Sequence, residues 1–185
     1  MEALLTAFVA ALLGGWADRT QKVAALLRAR FTPAPVVAAL VLAAAMNSAA
    51  AAFAGSLLRL EISLHAAALL LAVALAFAGV AGLIGEGAKP PRARGGPFIG
   101  SLVALTGAGW GDKTQYLTGA LAAYYGSFVP VAAAAFVGTV AVALPAALAG
   151  EAFERTAHVR PLRILFAILF LVAGAAVLVN ALGLV

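Results

Sequence analysis

The chain has 185 residues, of which 65% are hydrophobic and only 10% are charged. A soluble domain carries about 25% charged residues to cover its surface, so this composition excludes a water-soluble globule and indicates a lipid solvent. The net charge of +5 does not indicate nucleic-acid binding, because the basic residues are spread between apolar segments and form no patch. The absence of cysteine excludes disulfides and thiolate metal sites.

A membrane-spanning helix needs about 20 mostly apolar residues, and six segments of the chain meet this requirement. The first and the fourth contain charged residues in their middle, whereas the other four are nearly free of charge. The predicted fold is therefore all-α, a polytopic membrane protein with six transmembrane helices. The predicted spans are 3–27, 35–55, 62–85, 98–124, 129–149 and 162–184.

Lysine and arginine in the connections lie almost entirely after the first, third and fifth predicted spans, and the opposite side carries only Arg59. Because positively charged loops stay in the cytoplasm, both termini are predicted to face the periplasm, with the chain in a bacterial inner membrane. Three spans in each half give the halves opposite orientations, an arrangement that places a binding site near the midplane. The basic residues of these connections are Arg28, Arg30, Lys89, Arg92, Arg94, Arg155, Arg160 and Arg163.

Two segments repeat one another, GGWADRTQ at 14–21 and AGWGDKTQ at 108–115. Every Trp, Asp and Gln of the chain lies in these two segments, which makes the repeat the strongest signal in the sequence. The predicted organisation is a first three-helix repeat at 1–85, a cytoplasmic linker at 86–97 and a second, inverted three-helix repeat at 98–185.

Each segment places a carboxylate within a predicted span, Asp18 in the first and Asp112 in the second. A carboxylate inside a membrane is costly unless it is paired, neutralised or hydrated, so it indicates a functional site. Two carboxylates from inverted helices offer the hard oxygen ligands that suit Ca²⁺, Mn²⁺ or Mg²⁺. Further candidate ligands are the side chains of Thr20, Thr114, Gln21 and Gln115 and the backbone at Gly15, Gly109 and Gly111.

The spacing of the repeated segment predicts which of its residues face the same way. On a helix, Gly15, Asp18 and Gln21 are spaced i, i+3 and i+6, so they are expected to line one face, as are their equivalents in the second segment. Three glycines within 107–111 are expected to loosen the fourth span just before Asp112. Loosened backbone at membrane depth is tolerated where it lines a cavity.

The basic residue after each aspartate allows several interpretations. Arg19 and Lys113 compensate charge or gate a transport site, or they form structural cross-repeat ion pairs, Asp18 with Lys113 and Asp112 with Arg19. Snorkelling toward the headgroups is a third interpretation. The two tryptophans are either interfacial anchors or residues that pack a site or gate: Trp16 and Trp110.

Other polar residues within the predicted spans are interpreted as interhelical hydrogen-bonding groups rather than ligands. They are Asn47, Ser48, Thr118 and Thr139. The spans hold no nucleophile–base set and no cofactor motif, so neither an enzymatic activity nor a bound cofactor is expected.

At the repeated segments the chain resembles the paired Glu-x-Gly-Asp-(Lys/Arg)-(Thr/Ser) motifs of the Gdt-one family, the relatives of transmembrane protein 165 within the lysine-exporter superfamily. The resemblance implies two three-helix repeats of opposite orientation and exchange of Mn²⁺ or Ca²⁺ against protons, with a bacterial role in Mn²⁺ export. It carries the family's Asp, basic residue and hydroxyl over to Asp18 and Asp112, Arg19 and Lys113, and Thr20 and Thr114.

The chain departs from this motif at three positions. Gly15 and Gly109 stand where the family has Glu, and Ala17 stands where it has Gly. Two of four expected carboxylates are therefore missing, and a site with fewer negative charges should hold a divalent ion less tightly.

The function expected from the sequence is secondary transport of a cation, bound between the repeated segments and exchanged for protons across the lipid bilayer. Competition between proton and metal for the same oxygens provides the physical basis for exchange. One alternative is a non-transporting scaffold or subunit with a structural Asp/Lys/Arg ion-pair core. Another is an exporter of a small cationic solute, which predicts a roomier cavity.

Overall fold

A computed structural model describes residues 1–85, 87–88, 95–150, 152–153 and 159–183 of the chain. Within these residues every regular element is a helix. The helices are α1 (Glu2–Gly14), α2 (Arg19–Arg28), α3 (Pro33–Glu61), α4 (Leu64–Ile84), α5 (Gly96–Gly109), α6 (Lys113–Tyr125), α7 (Phe128–Ala149) and α8 (Val159–Ala181). Most of the predicted linker 86–97 lies outside the described residues, as do the basic residues Lys89, Arg92, Arg94 and Arg155.

Four of these helices are long and apolar enough to cross a membrane, namely α3, α4, α7 and most of α8. They begin where the sequence favours a helix start. Pro33 occupies the first turn of α3, where its missing N–H costs nothing, and the Ser63 side chain caps α4 by accepting from Ala66 N at 3.1 Å. The prediction of a multi-pass helical membrane protein is thus confirmed in its general form.

The first and fourth predicted spans are each divided into two shorter helices at the repeated segments. α1 and α2 are separated by residues 15–18, and α5 and α6 by residues 110–112. These four helices have 10 to 14 residues, whereas crossing a bilayer takes about 20, so none of them spans it alone. The prediction that Gly15, Asp18 and Gln21 line one face of a helix is wrong, as is the same prediction for Gly109, Asp112 and Gln115, because the helix is interrupted within each set.

The two halves of the chain are interleaved rather than stacked side by side. α3 packs against both α5 and α6 of the second half, and α7 packs correspondingly against both α1 and α2 of the first. α3 also packs against α7, and α4 against α8. Each interrupted helix is therefore surrounded by helices of the other half, which brings the two repeated segments together.

Close approach between the halves depends on small residues. A Cβ at Gly138 of α7 would lie 2.8 Å from Ala11 Cβ of α1, and a Cβ at Gly55 of α3 would overlap the Gly119 carbonyl of α6. A Cβ at Gly79 of α4 would lie 2.5 Å from Cγ of Leu171 on α8. Transmembrane helices gain mainly van der Waals contact by packing, so interfaces built from small residues are expected.

Candidate functional site

The interruption in each repeated segment is a turn with one residue at positive φ. Ala17 has φ +56° and Gly111 has φ +73°, and these two residues are equivalent in the repeat. Left-handed backbone of this kind suits glycine and costs about 1–2 kcal/mol for other L residues, so Ala17 carries a strain that Gly111 does not. Asp18 and Asp112 follow in extended conformation as the N-caps of α2 and α6.

Glutamine side chains brace both turns. Gln21 Oε1 accepts from Ala17 N at 2.9 Å, while Gln21 Nε2 donates to the Val142 carbonyl of α7 at 2.7 Å. In the second segment Gln115 Oε1 accepts from Gly111 N at 2.6 Å. Each glutamine thus supplies the acceptor that the unwound backbone lacks, and its carbonyl oxygen is engaged in that contact.

Asp18 lies at the interface between the halves and is buried. Its Oδ1 accepts from Arg19 N at 2.7 Å and lies 3.7 Å from Lys113 Nζ. Its Oδ2 accepts from Thr114 Oγ1 at 3.4 Å. The carboxylate of one segment is therefore held by the lysine and threonine of the other, and one of the two cross-repeat ion pairs considered from the sequence is present.

The two basic residues have different environments despite their equivalent positions. Lys113 is 4% exposed, so it does not snorkel. Arg19 is exposed and lines a separate cavity of about 280 Å³ together with Asp112, Ala108 and Gly111. The Arg19 side chain of the first segment consequently faces an open cavity, while the Lys113 ammonium of the second is buried against Asp18.

A small central cavity lies between the two turns. Its volume is about 30 Å³, which is enough for an ion with one or two waters, since about 10–15 Å³ of such space holds one water. It is far smaller than the roughly 300–1,000 Å³ typical of sites for organic ligands. It is lined by Asp18, Thr20, Ala43, Ala44, Asn47, Ser48, Leu105, Gly109, Asp112, Thr114, Gln115, Thr118 and Thr139.

Most of the predicted ligands meet at this cavity. Both aspartates, both motif threonines and Gln115 line it, whereas Gln21 is not among its lining residues. Among the described residues no group of three or more His, Cys, Asp or Glu side chains could hold a metal. An ion in this cavity would therefore take most of its ligands from neutral oxygens.

Neutral oxygens also come from residues outside the repeated segments. Asn47 and Ser48 of α3, Thr118 of α6 and Thr139 of α7 all line the cavity, although their sequence positions suggested interhelical hydrogen bonding. Asn47 Nδ2 does make one such bond, to the Thr106 carbonyl at 3.3 Å. The signal that could have identified Asn47, Ser48 and Thr139 is that each is a polar residue in an otherwise apolar stretch of α3 or α7.

The glycines that replace the motif Glu lie in crowded surroundings. A Cβ at Gly15 would lie 2.5 Å from Val142 Cγ1 and 2.9 Å from the Ala11 carbonyl. A Cβ at Gly109 would overlap the Asn47 side-chain amide. The spaces next to these glycines are therefore filled by side chains of α3 and α7.

The two tryptophans also differ in environment, but in the opposite sense to the two basic residues. Trp16 packs edge-to-face against Phe153 and Phe166, with ring centroids 6.2 and 6.3 Å away. Trp110 is 66% exposed and borders an apolar lateral cavity of about 760 Å³ between α3, α4 and α6. Trp16 of the first segment is thus covered by aromatic side chains, whereas Trp110 of the second faces the surface.

Comparison with known proteins identifies one family whose model matches the chain. Residues 3–89 and 97–184 match the family model described as divalent cation/proton antiporter GDT1. No curated protein and no solved structure matches the chain.

Proposed function

The chain belongs to the divalent cation/proton antiporter GDT1 family, and on this premise we propose that it exchanges a divalent cation, Mn²⁺ or Ca²⁺, for protons at the central cavity. The family is one of transporters rather than enzymes, and the long apolar helices embed the chain in a membrane. The bacterial inner membrane, with both termini in the periplasm, is the location that fits the distribution of basic residues.

One observation carries the proposal of a site at the cavity. Asp18 and Asp112, from different halves of the chain, line the same ion-sized space. Burying two carboxylates together is unfavourable unless cations compensate them, so their meeting indicates a place built for positive charge. The hydroxyl groups of Thr20 and Thr114 supply neutral oxygens beside the carboxylates, as Ca²⁺ and Mn²⁺ sites require.

The Lys113 ammonium supports a simple exchange. It lies 3.7 Å from Asp18 Oδ1 and compensates one of the two aspartates when the transported ion is absent. A divalent ion that bridges Asp18 and Asp112 displaces this ammonium from Asp18. Protons that compete for the same carboxylate oxygens then favour release of the ion on the other side.

The interleaved packing supports alternating access by the two halves. We propose that the repeats cross the membrane in opposite orientations, as six spans of which two are interrupted at the site. Interrupted helices next to a midplane site are a recurring feature of transporters built from inverted repeats.

Substitution of the two aspartates tests this function in proteoliposomes loaded with an ion-sensitive dye. Asp18→Asn and Asp112→Asn should each abolish Mn²⁺- or Ca²⁺-driven proton movement, because the variant sites lose charge while they keep their shape. Glu61→Gln is the matched control, since Glu61 is an exposed carboxylate at the end of α3, and it should transport normally. Unchanged flux in both aspartate variants would remove the cavity from the transport path.

The two alternative functions predict different results in the same assay. A scaffold with a structural ion-pair core shows no flux in the wild type and loses its fold when Asp18 is replaced. An exporter of a cationic solute requires a larger chamber than the space of about 30 Å³ that the two aspartates share, and the cavity of about 280 Å³ is lined by Asp112 but not by Asp18. Counterflow of labelled lysine without any movement of divalent ions would favour the exporter.

A further inference from the structure

Asn47 has an oxygen with no assigned partner at the edge of the cavity. Its side chain lines the cavity from α3, and its Oδ1 is buried without a hydrogen-bond partner among the described residues. Leaving a buried carbonyl oxygen unsatisfied costs about 1–3 kcal/mol. Such a group at the edge of a cavity is free to accept from a donor or to contact a cation there.

The rest of the side chain is held in place. Asn47 Nδ2 donates to the Thr106 carbonyl at 3.3 Å, so the amide is anchored through its nitrogen and the oxygen is left for another group. The absence of a Cβ at Gly109 makes room for this amide, because a Cβ there would overlap it. The glycine and the asparagine therefore form one arrangement that fixes the amide next to the cavity.

We propose that Asn47 is a ligand of the transported cation, which it contacts through its neutral side-chain oxygen. This inference rests on the proposed function, and it specifies what kind of site the cavity is. Side-chain amide oxygens are ordinary ligands of Ca²⁺, and the affinity of such sites follows the number of charged ligands. With two carboxylates, one of them paired with Lys113, the site binds a divalent ion weakly and relies on neutral oxygens to complete its shell.

The test measures how Mn²⁺ or Ca²⁺ shifts the thermal unfolding of the purified full-length protein in detergent. Asn47→Ala should weaken the binding of the ion at least about tenfold, since even groups that only orient a metal ligand contribute about 10–100-fold. Asn47→Asp should lower stability in chelator and increase the ion-induced shift, because it adds a third carboxylate. Asn180→Ala is the matched control: Asn180 is exposed on α8, and its replacement should leave the shift unchanged.

A purely structural asparagine gives a different pattern. If Asn47 only joins α3 to α5 through Thr106, Asn47→Ala lowers stability in chelator by the same amount as in Mn²⁺, and the ion-induced shift is preserved. That result would overturn the inference while leaving the proposed function intact. Absence of any shift in the wild type with Mn²⁺, Ca²⁺ or Mg²⁺ would instead overturn the proposed function itself.

A second variant tests the arrangement without removing the asparagine. Gly109→Ala places a methyl group where the Asn47 amide lies, so it should reduce the ion-induced shift as Asn47→Ala does. In the Asn47→Ala background the same glycine substitution should cause little further loss, because the clash is gone. Additive effects of the two substitutions on the ion-induced shift would contradict the proposed contact.

Discussion

Replacing Gly111 by alanine tests whether the second interruption depends on its left-handed residue. At φ +73° an alanine pays about 1–2 kcal/mol, and it recovers about 0.4–1 kcal/mol from the lower entropy of the unfolded chain. No atom lies within 4 Å of the position that the new Cβ would occupy, so no steric term adds to this balance. The expected net effect is a loss of about 0.5–1 kcal/mol.

Gly107→Ala is the matched control for this change. A Cβ at Gly107 also meets no atom within 4 Å, but Gly107 lies inside α5 and its φ is not positive. Alanine there should stabilise the protein by about 0.5 kcal/mol or slightly more, opposite in sign to the effect at Gly111. Unfolding by SDS titration in mixed micelles measures both free energies. Equal shifts for the two variants would refute the assignment of strain to the turn.

Two further predictions concern the groups around Asp18. Lys113→Met should lower the free energy of unfolding by about 3–5 kcal/mol, since it leaves a buried carboxylate uncompensated. Mn²⁺ should restore much of this loss in the same titration. Arg19→Met, at an exposed position, is the control and should change the free energy of unfolding by about 0.5 kcal/mol or less. Gln21→Ala should cost about 2–3 kcal/mol, because it removes two buried hydrogen bonds and leaves the Ala17 N–H and the Val142 carbonyl without their partner. A stable Lys113→Met protein without ions, or a Gln21→Ala protein as stable as the wild type, would contradict these assignments.

The sequence predicted the long helices and the place of the second interruption. Apolar length alone located α3, α4, α7 and α8, because the requirement of about 20 apolar residues depends little on tertiary contacts. The glycines at 107–111 indicated the interruption before Asp112, since glycine is the residue that adopts positive φ without strain. The repeat brought Asp18 and Asp112 together as candidate ligands, and both line the central cavity.

The first interruption could not be read from local sequence in the same way. Its left-handed residue is Ala17, and alanine is the strongest helix former, so the local preference is overridden by tertiary contacts. Gln21 supplies one of them, to the Val142 carbonyl of α7, while its side-chain oxygen accepts locally from Ala17 N. A contact with a residue 121 positions away leaves no local signature, which is why a continuous helical face was predicted here.

The position of Asn47 beside the cavity also depends on tertiary packing and could not be predicted from local sequence. It lies on α3, far in sequence from Gly109, and only the packing of α3 against α5 brings its amide to the space beside that glycine. The sequence could show that the glycine had replaced a larger residue of the motif, but not which neighbour filled the space. The difference between Arg19 and Lys113 is likewise invisible in a repeat whose two copies carry the same charge.

The buried ion pair between Lys113 and Asp18 would solve a problem that an exchanger with two carboxylates in its site faces. An empty site with two carboxylates and no cation would be costly within a membrane, and a site that binds its ion too tightly would not release it. The Lys113 ammonium lies 3.7 Å from Asp18 Oδ1, so in the exchange proposed above the ion would compete with a tethered cation for the same oxygen atoms. This competition would lower the affinity for the ion, because the Lys113–Asp18 ion pair is lost when the ion binds and forms again when the ion leaves. Neutral ligands such as the amide oxygen of Asn47 then add coordination without adding charge, so the ion can be held long enough to be carried and still be released.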